Sequence, residues 1–163
     1  MIAIDSSSLI LMAKIDILDK LIKHLQKKPV ITSQVYDEST SKIDTYDAKI
    51  IRKLVEEKKI AKKEIKNPEF YKNIQNDFNL GGGEAESIVF CMENRAGLIT
   101  DDKKAMNACR ILNIKYATVP NLLITLYKKG LIPKIETSLY LKKLKKFGRY
   151  SKEIIEKIED ELK

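Results

Sequence analysis

The sequence predicts an α/β fold built around a parallel β-sheet. Short apolar runs alternate with longer segments whose apolar residues recur at helical spacing, which is the pattern of successive βαβ units. Residues 1–4 form the first apolar run, and Asp5 with three serines ends it, as is typical of a buried strand followed by a capped helix. The chain of 163 residues is long enough for one domain with a full hydrophobic core.

The elements follow one another without an internal repeat or a low-complexity linker. Strands are expected at residues 1–4, 30–31, 60–65, 98–100 and 114–119. Prolines, glycines and capping residues between these runs mark where helices start and stop. Helices are expected at residues 9–14, around 18–25, around 35–38, at 44–58, at 84–94, from Asp101 or Asp102 to 112, and from 120. From about Lys134 the pattern stays helical to the end of the chain.

The composition favours a polyanionic partner. Lys and Arg outnumber Asp and Glu by 31 to 23, and the net charge of +8 suits nucleic acid or an anionic membrane surface. Cys91 and Cys109 form no C-x-x-C pair and His24 is the single histidine, so a Cys/His zinc site is not expected and both thiols are expected in the core. The sequence contains no recognisable signal peptide or membrane-spanning run, which predicts a soluble cytoplasmic protein.

Carboxylates recur where the strands end and the following helices begin. In open α/β sheets ligands bind outside the carboxyl ends of the strands, so acids at successive strand ends are expected to gather at one rim. The acids at these positions, which are the candidate catalytic residues, are Asp5, Glu38, Glu84, Asp101 and Asp102.

Such a rim would favour a bound divalent cation. Converging carboxylates repel one another unless a cation lies between them, and Mg²⁺ and Mn²⁺ prefer oxygen ligands. One or two such cations held by carboxylates can activate a water molecule for attack on a phosphodiester. Ser7, two residues after Asp5, is placed to bond a metal-bound water or to orient a carboxylate. The candidate metal ligands are Asp5, Glu84, Asp101 and Asp102.

Each acid also has a purely structural interpretation. Asp5, Asp101 and Asp102 could serve as helix N-caps, Glu84 could complement a helix dipole, and Glu38 could be a solvated helix residue. These interpretations do not explain why acids recur at successive strand ends. The glycines at residues 81–83 are not followed by G-K-[ST], so a nucleotide-binding loop is not expected.

Four motifs, in this order, resemble those of the PIN-domain family. They are a D-x-[SN] motif at residues 5–7, a segment at 31–38 that ends in an acid, a G-E-A-E helix start at 83–86, and a T-x-D strand end at 100–102. The resemblance covers about residues 1–132, a PIN-like nuclease domain, and leaves 133–163 as a C-terminal helical extension of the same domain. It implies a three-layer α/β/α sandwich with a central parallel sheet. T-x-D spacing favours Asp102 as the fourth acid, while Asp101 also follows the strand directly.

The resemblance also implies an activity. The resemblance implies a metal-dependent endoribonuclease that uses Mg²⁺ or Mn²⁺ to cleave single-stranded RNA. Such an enzyme would be either the toxin of a toxin–antitoxin pair or an RNA-processing enzyme. A toxin would have an antitoxin protein as its partner. The alternative is a catalytically silent PIN-like module that binds RNA or protein.

A basic stretch near the C-terminus is the candidate RNA-binding surface. It interleaves cations with Tyr140, Phe147 and Tyr150, a mixture suited to phosphate contact and base stacking, although a solvated helix face has the same pattern. Residues 151–163 place isoleucines and a leucine at helical spacing, which suits packing on the same domain or pairing in a homodimer. The candidate RNA-binding residues are Lys142, Lys143, Lys145, Lys146 and Arg149.

Overall fold

A computed structural model describes all 163 residues and contains one five-stranded parallel sheet. Its strands are β1 (Ile2–Ile4), β2 (Pro29–Thr32), β3 (Ala61–Lys63), β4 (Gly97–Ile99) and β5 (Tyr116–Ala117). They lie in the order β3-β2-β1-β4-β5, and every neighbouring pair is parallel. The strand order reverses between β1 and β4, so a crevice for ligand opens at their carboxyl ends.

Ten helices surround this sheet. They are α1 (Ser6–Lys14), α2 (Leu18–His24), α3 (Ser33–Thr40), α4 (Tyr46–Glu56), α5 (Pro68–Phe78), α6 (Gly82–Asn94), α7 (Lys103–Ile111), α8 (Val119–Lys128), α9 (Lys134–Phe147) and α10 (Lys152–Glu161). Side-chain caps start α1, α3 and α7, where Asp5, Thr32 and Asp102 accept hydrogen bonds from first-turn N–H groups. None of the helices combines the length and apolarity needed to cross a membrane.

The central strands β1, β2 and β4 are largely buried on both faces, and each face supports its own core. Ile4, Ile31 and Ile99 point to a core shared with α1–α4 and α8–α10. Their neighbours Ala3, Val30 and Leu98 point to a second core shared with α5–α7, which also contains the free thiols of Cys91 and Cys109. This alternation is what a sheet covered on both sides requires. The α/β/α sandwich expected from the sequence is confirmed.

Two segments differ from the sequence-based prediction. Helix α5 lies in a stretch for which no element is expected, although Phe70, Ile74 and Phe78 recur at four-residue spacing behind a proline. The expectation of unbroken helix from residue 134 is wrong, because extended backbone at residues 148–151 separates α9 from α10. Gly148 allows this break, since a Cβ there would overlap the ring of Tyr150 and lie 2.6 Å from the Leu144 carbonyl oxygen.

Both C-terminal helices pack on the sandwich. Leu144 of α9 and Ile158 of α10 are buried in the first core, together with Leu162 just beyond α10. Ile158 and Leu162 of the recurring apolar residues therefore pack on the chain's own domain, while Ile154 stays exposed.

Candidate active site at the carboxyl ends of β1 and β4

Asp5 is the fully buried acid at the centre of the carboxyl edge. It follows central strand β1, and its backbone N–H donates to the Ile99 carbonyl of β4 at 3.1 Å. One carboxylate oxygen accepts the Ser8 backbone N–H at 2.8 Å and the Ser7 hydroxyl at 3.3 Å. The other accepts the hydroxyl proton of buried Thr100. Asp5 is thus both the cap of α1 and a carboxylate fixed between the two central strands.

The two acids after β4 point in different directions. Asp102 caps α7 by accepting the Ala105 N–H at 2.8 Å, and its own N–H donates to the Thr100 hydroxyl at 3.1 Å. Asp101 instead accepts the Val119 N–H at 3.1 Å and the Tyr150 hydroxyl at 2.9 Å. Asp101 is therefore tied to α8 and to the segment between α9 and α10.

Glu38 is held by three donors from different elements. Its carboxylate accepts the Ser6 hydroxyl at 2.6 Å, the Gly83 backbone N–H at 3.0 Å and the Gln34 side-chain amide at 3.1 Å. Gly83 is required for this contact, because a Cβ at that position would overlap the Glu38 carboxylate. Gly83, in the first turn of α6, thus lets α3 and α6 approach each other at the rim.

Glu84 connects the acids electrostatically. Its half-buried carboxylate lies against Gly81 and accepts a hydrogen bond from its own backbone N–H. Burial raises the Glu84 pKa, and the negative charges of Asp5, Asp102 and Glu38 raise it further. The structure therefore brings Asp5, Glu38 and Asp102 within electrostatic reach of Glu84, although the four acids are scattered in the sequence.

Two further acids at this edge, Asp5 and Asp101, also have raised pKa values. Burial raises the pKa of Asp5 despite the opposing hydrogen bonds from Thr100, Ser8 and Ser7. Burial likewise raises the pKa of Asp101 to about 6, against the effect of its bonds from Tyr150 and Val119. Carboxylates that are costly to ionise in place would be stabilised in their charged form by a nearby cation.

The acids are not assembled into a closed chelating cage. No group of three or more His, Cys, Asp or Glu side chains is arranged to hold a metal ion. Their oxygens are instead shared with hydroxyl and backbone donors, as at Asp5 and Glu38.

Comparison with known families agrees with this geometry. The model of the family DUF3368, described as a PIN domain, matches residues 1–163. The chain is a member of the PIN-domain family. A search of curated proteins finds no match. The match includes the C-terminal helices, beyond the residues that carry the recognisable motifs, and the PIN fold is a nuclease-type fold.

The candidate RNA-binding residues of this PIN domain differ in the contacts they make. Lys143 forms an ion pair with Asp16 and Lys145 forms one with Glu159, while Lys142 and Lys146 are exposed on α9. Arg149 alone among the candidate RNA-binding residues lines a large cleft beside the acids.

Several residues at the rim are not among the sequence-based candidates. Thr100, Ser6 and Ser8 bond the acids or their backbone, and Tyr150 binds Asp101 from a distant part of the chain. Thr100 carries a signal, because it is the first residue of the T-x-D motif. Tyr150 carries none, since its contact depends on how α9 and α10 pack.

Proposed function

We propose that this PIN domain is a metal-dependent endoribonuclease that hydrolyses phosphodiester bonds of single-stranded RNA, with Mg²⁺ or Mn²⁺ as cofactor. The observation that supports it most is the placement of the acids: Asp5, Asp101 and Asp102 follow the two central strands, and Ser6 and Gly83 hold Glu38 at the same edge. Asp5, Asp102 and Glu38, from three separate segments, all raise the pKa of Glu84, which lies on a fourth segment at the edge where the strand order reverses. Structural caps alone would not need to meet there.

The donor set fits a hard divalent cation. One or two of Asp5, Glu84, Asp101 and Asp102 would hold it through their carboxylate oxygens, since no three of these acids are arranged around one ion. Mg²⁺ is commonly bound by one or two protein carboxylates together with waters and substrate phosphates, so a closed cage of acids is not needed. When bound, the cation supplies a nucleophilic water at neutral pH and offsets the charge of the phosphate.

The protein's own residues fix the acids in place for this chemistry. Thr100 and Ser8 hold the Asp5 carboxylate from opposite sides, which leaves it little rotational freedom. Ser6 and Gly83 hold Glu38 at the same rim. Ser7 is exposed beside Asp5, and while its hydroxyl donates to that carboxylate its oxygen can accept a hydrogen bond from a water there. Preorganised acids of this kind avoid reorganisation during the reaction.

In the cell, we propose that the enzyme acts either as the toxin of a toxin–antitoxin pair or in RNA processing. The toxin role carries an antitoxin protein as partner. A neighbouring gene that encodes a protein binding this chain and suppressing its cleavage of RNA would select the toxin role. A homodimer is a further proposal, and sedimentation of the purified protein tests it.

The central test is cleavage of a labelled single-stranded RNA with end-group analysis. Wild-type protein should give 5′-phosphate and 3′-hydroxyl ends, should lose activity in chelator, and should recover it with Mn²⁺ or Mg²⁺. Cleavage that persists in chelator would overturn the metal mechanism. A 2′,3′-cyclic phosphate would indicate attack by the RNA's own 2′-hydroxyl instead. RNA binding without cleavage under any metal would favour the silent module.

A further inference from the structure

A large cleft lies directly beside the acidic rim. It has a volume of about 870 Å³, within the range of about 300–1,000 Å³ common for ligand pockets. Asp101 and Asp102 border it, so it continues from the candidate active site. Phe147 at the end of α9 and residues 148–150 of the α9–α10 connection form part of its wall.

The charge of this cleft is strongly positive away from the acids. Its basic residues come from α1, α7, the α9–α10 connection and α10, and they are Lys14, Lys103, Lys104, Arg149 and Lys157. None of them forms an ion pair, whereas Lys143 and Lys145 on α9 are paired. Free cations in a concave surface attract a polyanion more strongly than cations already paired with carboxylates.

The cleft also contains surfaces on which bases can stack. Phe147 lines it with 42% of its surface exposed, and the Lys146 ammonium lies 5.2 Å from its ring centroid. Tyr150 lines it too, and its ring is fixed because its hydroxyl donates to Asp101. Exposed aromatic rings beside free cations are the usual arrangement for single-stranded nucleic acid.

We propose that this cleft binds the nucleotides of single-stranded RNA that adjoin the scissile phosphodiester. Lys103, Arg149 and Lys157 contact the phosphates, and Phe147 stacks on a base. The inference rests on the proposed nuclease function and specifies where its substrate lies. It assigns the main RNA contacts to the cleft, and not to the outer face of α9.

The test measures binding separately from cleavage. Fluorescence anisotropy of a labelled oligouridine in EDTA reports affinity without cleavage. The cleft variant is Lys103→Ala, Arg149→Ala and Lys157→Ala. The control variant, Lys28→Ala, Arg95→Ala and Lys115→Ala, removes the same two lysines and one arginine from the opposite edge of the sheet, where these residues precede β2, β4 and β5.

The cleft variant should bind at least about tenfold more weakly than wild type. Loss of three phosphate contacts should also flatten the slope of log affinity against log salt by about 2, since each contact to a single strand contributes about 0.7. Phe147→Ala should weaken binding about tenfold without changing that slope. The control variant should bind within about twofold of wild type. Circular dichroism and thermal melts check that all variants are folded.

Equal weakening by the cleft and control variants would overturn the proposal, because it would show attraction to net charge alone. Wild-type affinity in both the cleft variant and Phe147→Ala would also overturn it, because it would show that RNA does not contact the cleft. RNA binding that depends on the cleft, in a protein that never cleaves, would support this inference while the nuclease proposal fails. If the cleft variant binds RNA normally and still cleaves it, the nuclease proposal is supported and this inference fails.

Discussion

At the carboxyl ends of β1 and β4, Asp5 and Thr100 are fully buried and bonded to each other, whereas at the amino ends of the strands Lys28, Arg95 and Lys115 are exposed. The same parallel strands support both edges. At the amino edge, charges stay in water and need no special partners. At the carboxyl edge, burial raises the pKa of acids that must then be held by hydroxyl and backbone donors.

The carboxyl edge thus retains buried carboxylates that do not contribute to the stability of the fold. Buried carboxylates with raised pKa values oppose folding when ionised, so their presence at one edge calls for a role other than packing. The following predictions test whether the two edges differ in function as they differ in burial.

Replacing Asp5 with Asn should have the largest effect on activity. The change preserves shape and removes a charge, so RNA cleavage should fall at least about a hundredfold, roughly 3 kcal/mol of transition-state stabilisation. The free energy of unfolding should hold or rise, because burial already disfavours the ionised form of Asp5. An RNA cleavage assay beside a thermal melt measures both. Full cleavage by Asp5→Asn would contradict the proposed site.

Replacing Gly83 with Ala should disrupt the Glu38 position. The new Cβ would overlap the Glu38 carboxylate and lie 3.0 Å from the Ser6 hydroxyl, so both side chains must move. We expect a loss of about 1–3 kcal/mol in stability and a clear fall in cleavage.

The matched control for Gly83→Ala is Gly97→Ala at the amino edge. There the Cβ would lie 3.2 Å from the Lys115 carbonyl oxygen, far in the sheet from the acids. Stability should fall modestly and the cleavage rate of the folded protein should not change. An equal loss of cleavage in both variants would mean that the glycine effect is not specific to the carboxyl edge.

Asp101 should make stability depend on pH. Its folded pKa of about 6 lies above the ordinary value of 3.8, so its favourable contribution is complete below pH 3.8 and is lost as pH rises through about 6. Asp101→Asn should therefore become more stable relative to wild type by about 2 kcal/mol between pH 4 and pH 8. Chemical denaturation across that range measures the difference. A stability difference for Asp101→Asn that stays flat with pH would contradict the assigned cause.

Replacing Lys143 and Lys145 with Gln should have the smallest effect. Both are already paired, with Asp16 and Glu159, and exposed ion pairs contribute only about 0–1 kcal/mol to stability. Affinity for oligouridine should change less than about threefold at 0.15 M salt, where distant charges are screened. A loss as large as that of the cleft variant would place the main RNA contacts on α9.

Much of this architecture is determined by local sequence patterns. The alternation of apolar runs with helical periods predicts the α/β sandwich, and acids after successive runs predict which edge of the sheet carries them. Asp102 and Thr32 cap helices where capping residues precede a helical pattern, because a cap needs only its own first turn. The PIN-family motifs are likewise short and continuous in the sequence.

The contacts that join distant segments were decided by the tertiary structure alone. Thr100 donates to Asp5 because β4 lies beside β1 in register, and no local pattern encodes that strand order. Tyr150 reaches Asp101 because α9 and α10 separate at Gly148, which lies within a pattern that otherwise continues as helix. Hydrophobic periodicity specifies which face of a helix or strand is buried, but the element against which that face packs depends on the packing of the whole core. In this protein, that packing directs Asp101 and Asp102 to different partners and forms the cleft beside them.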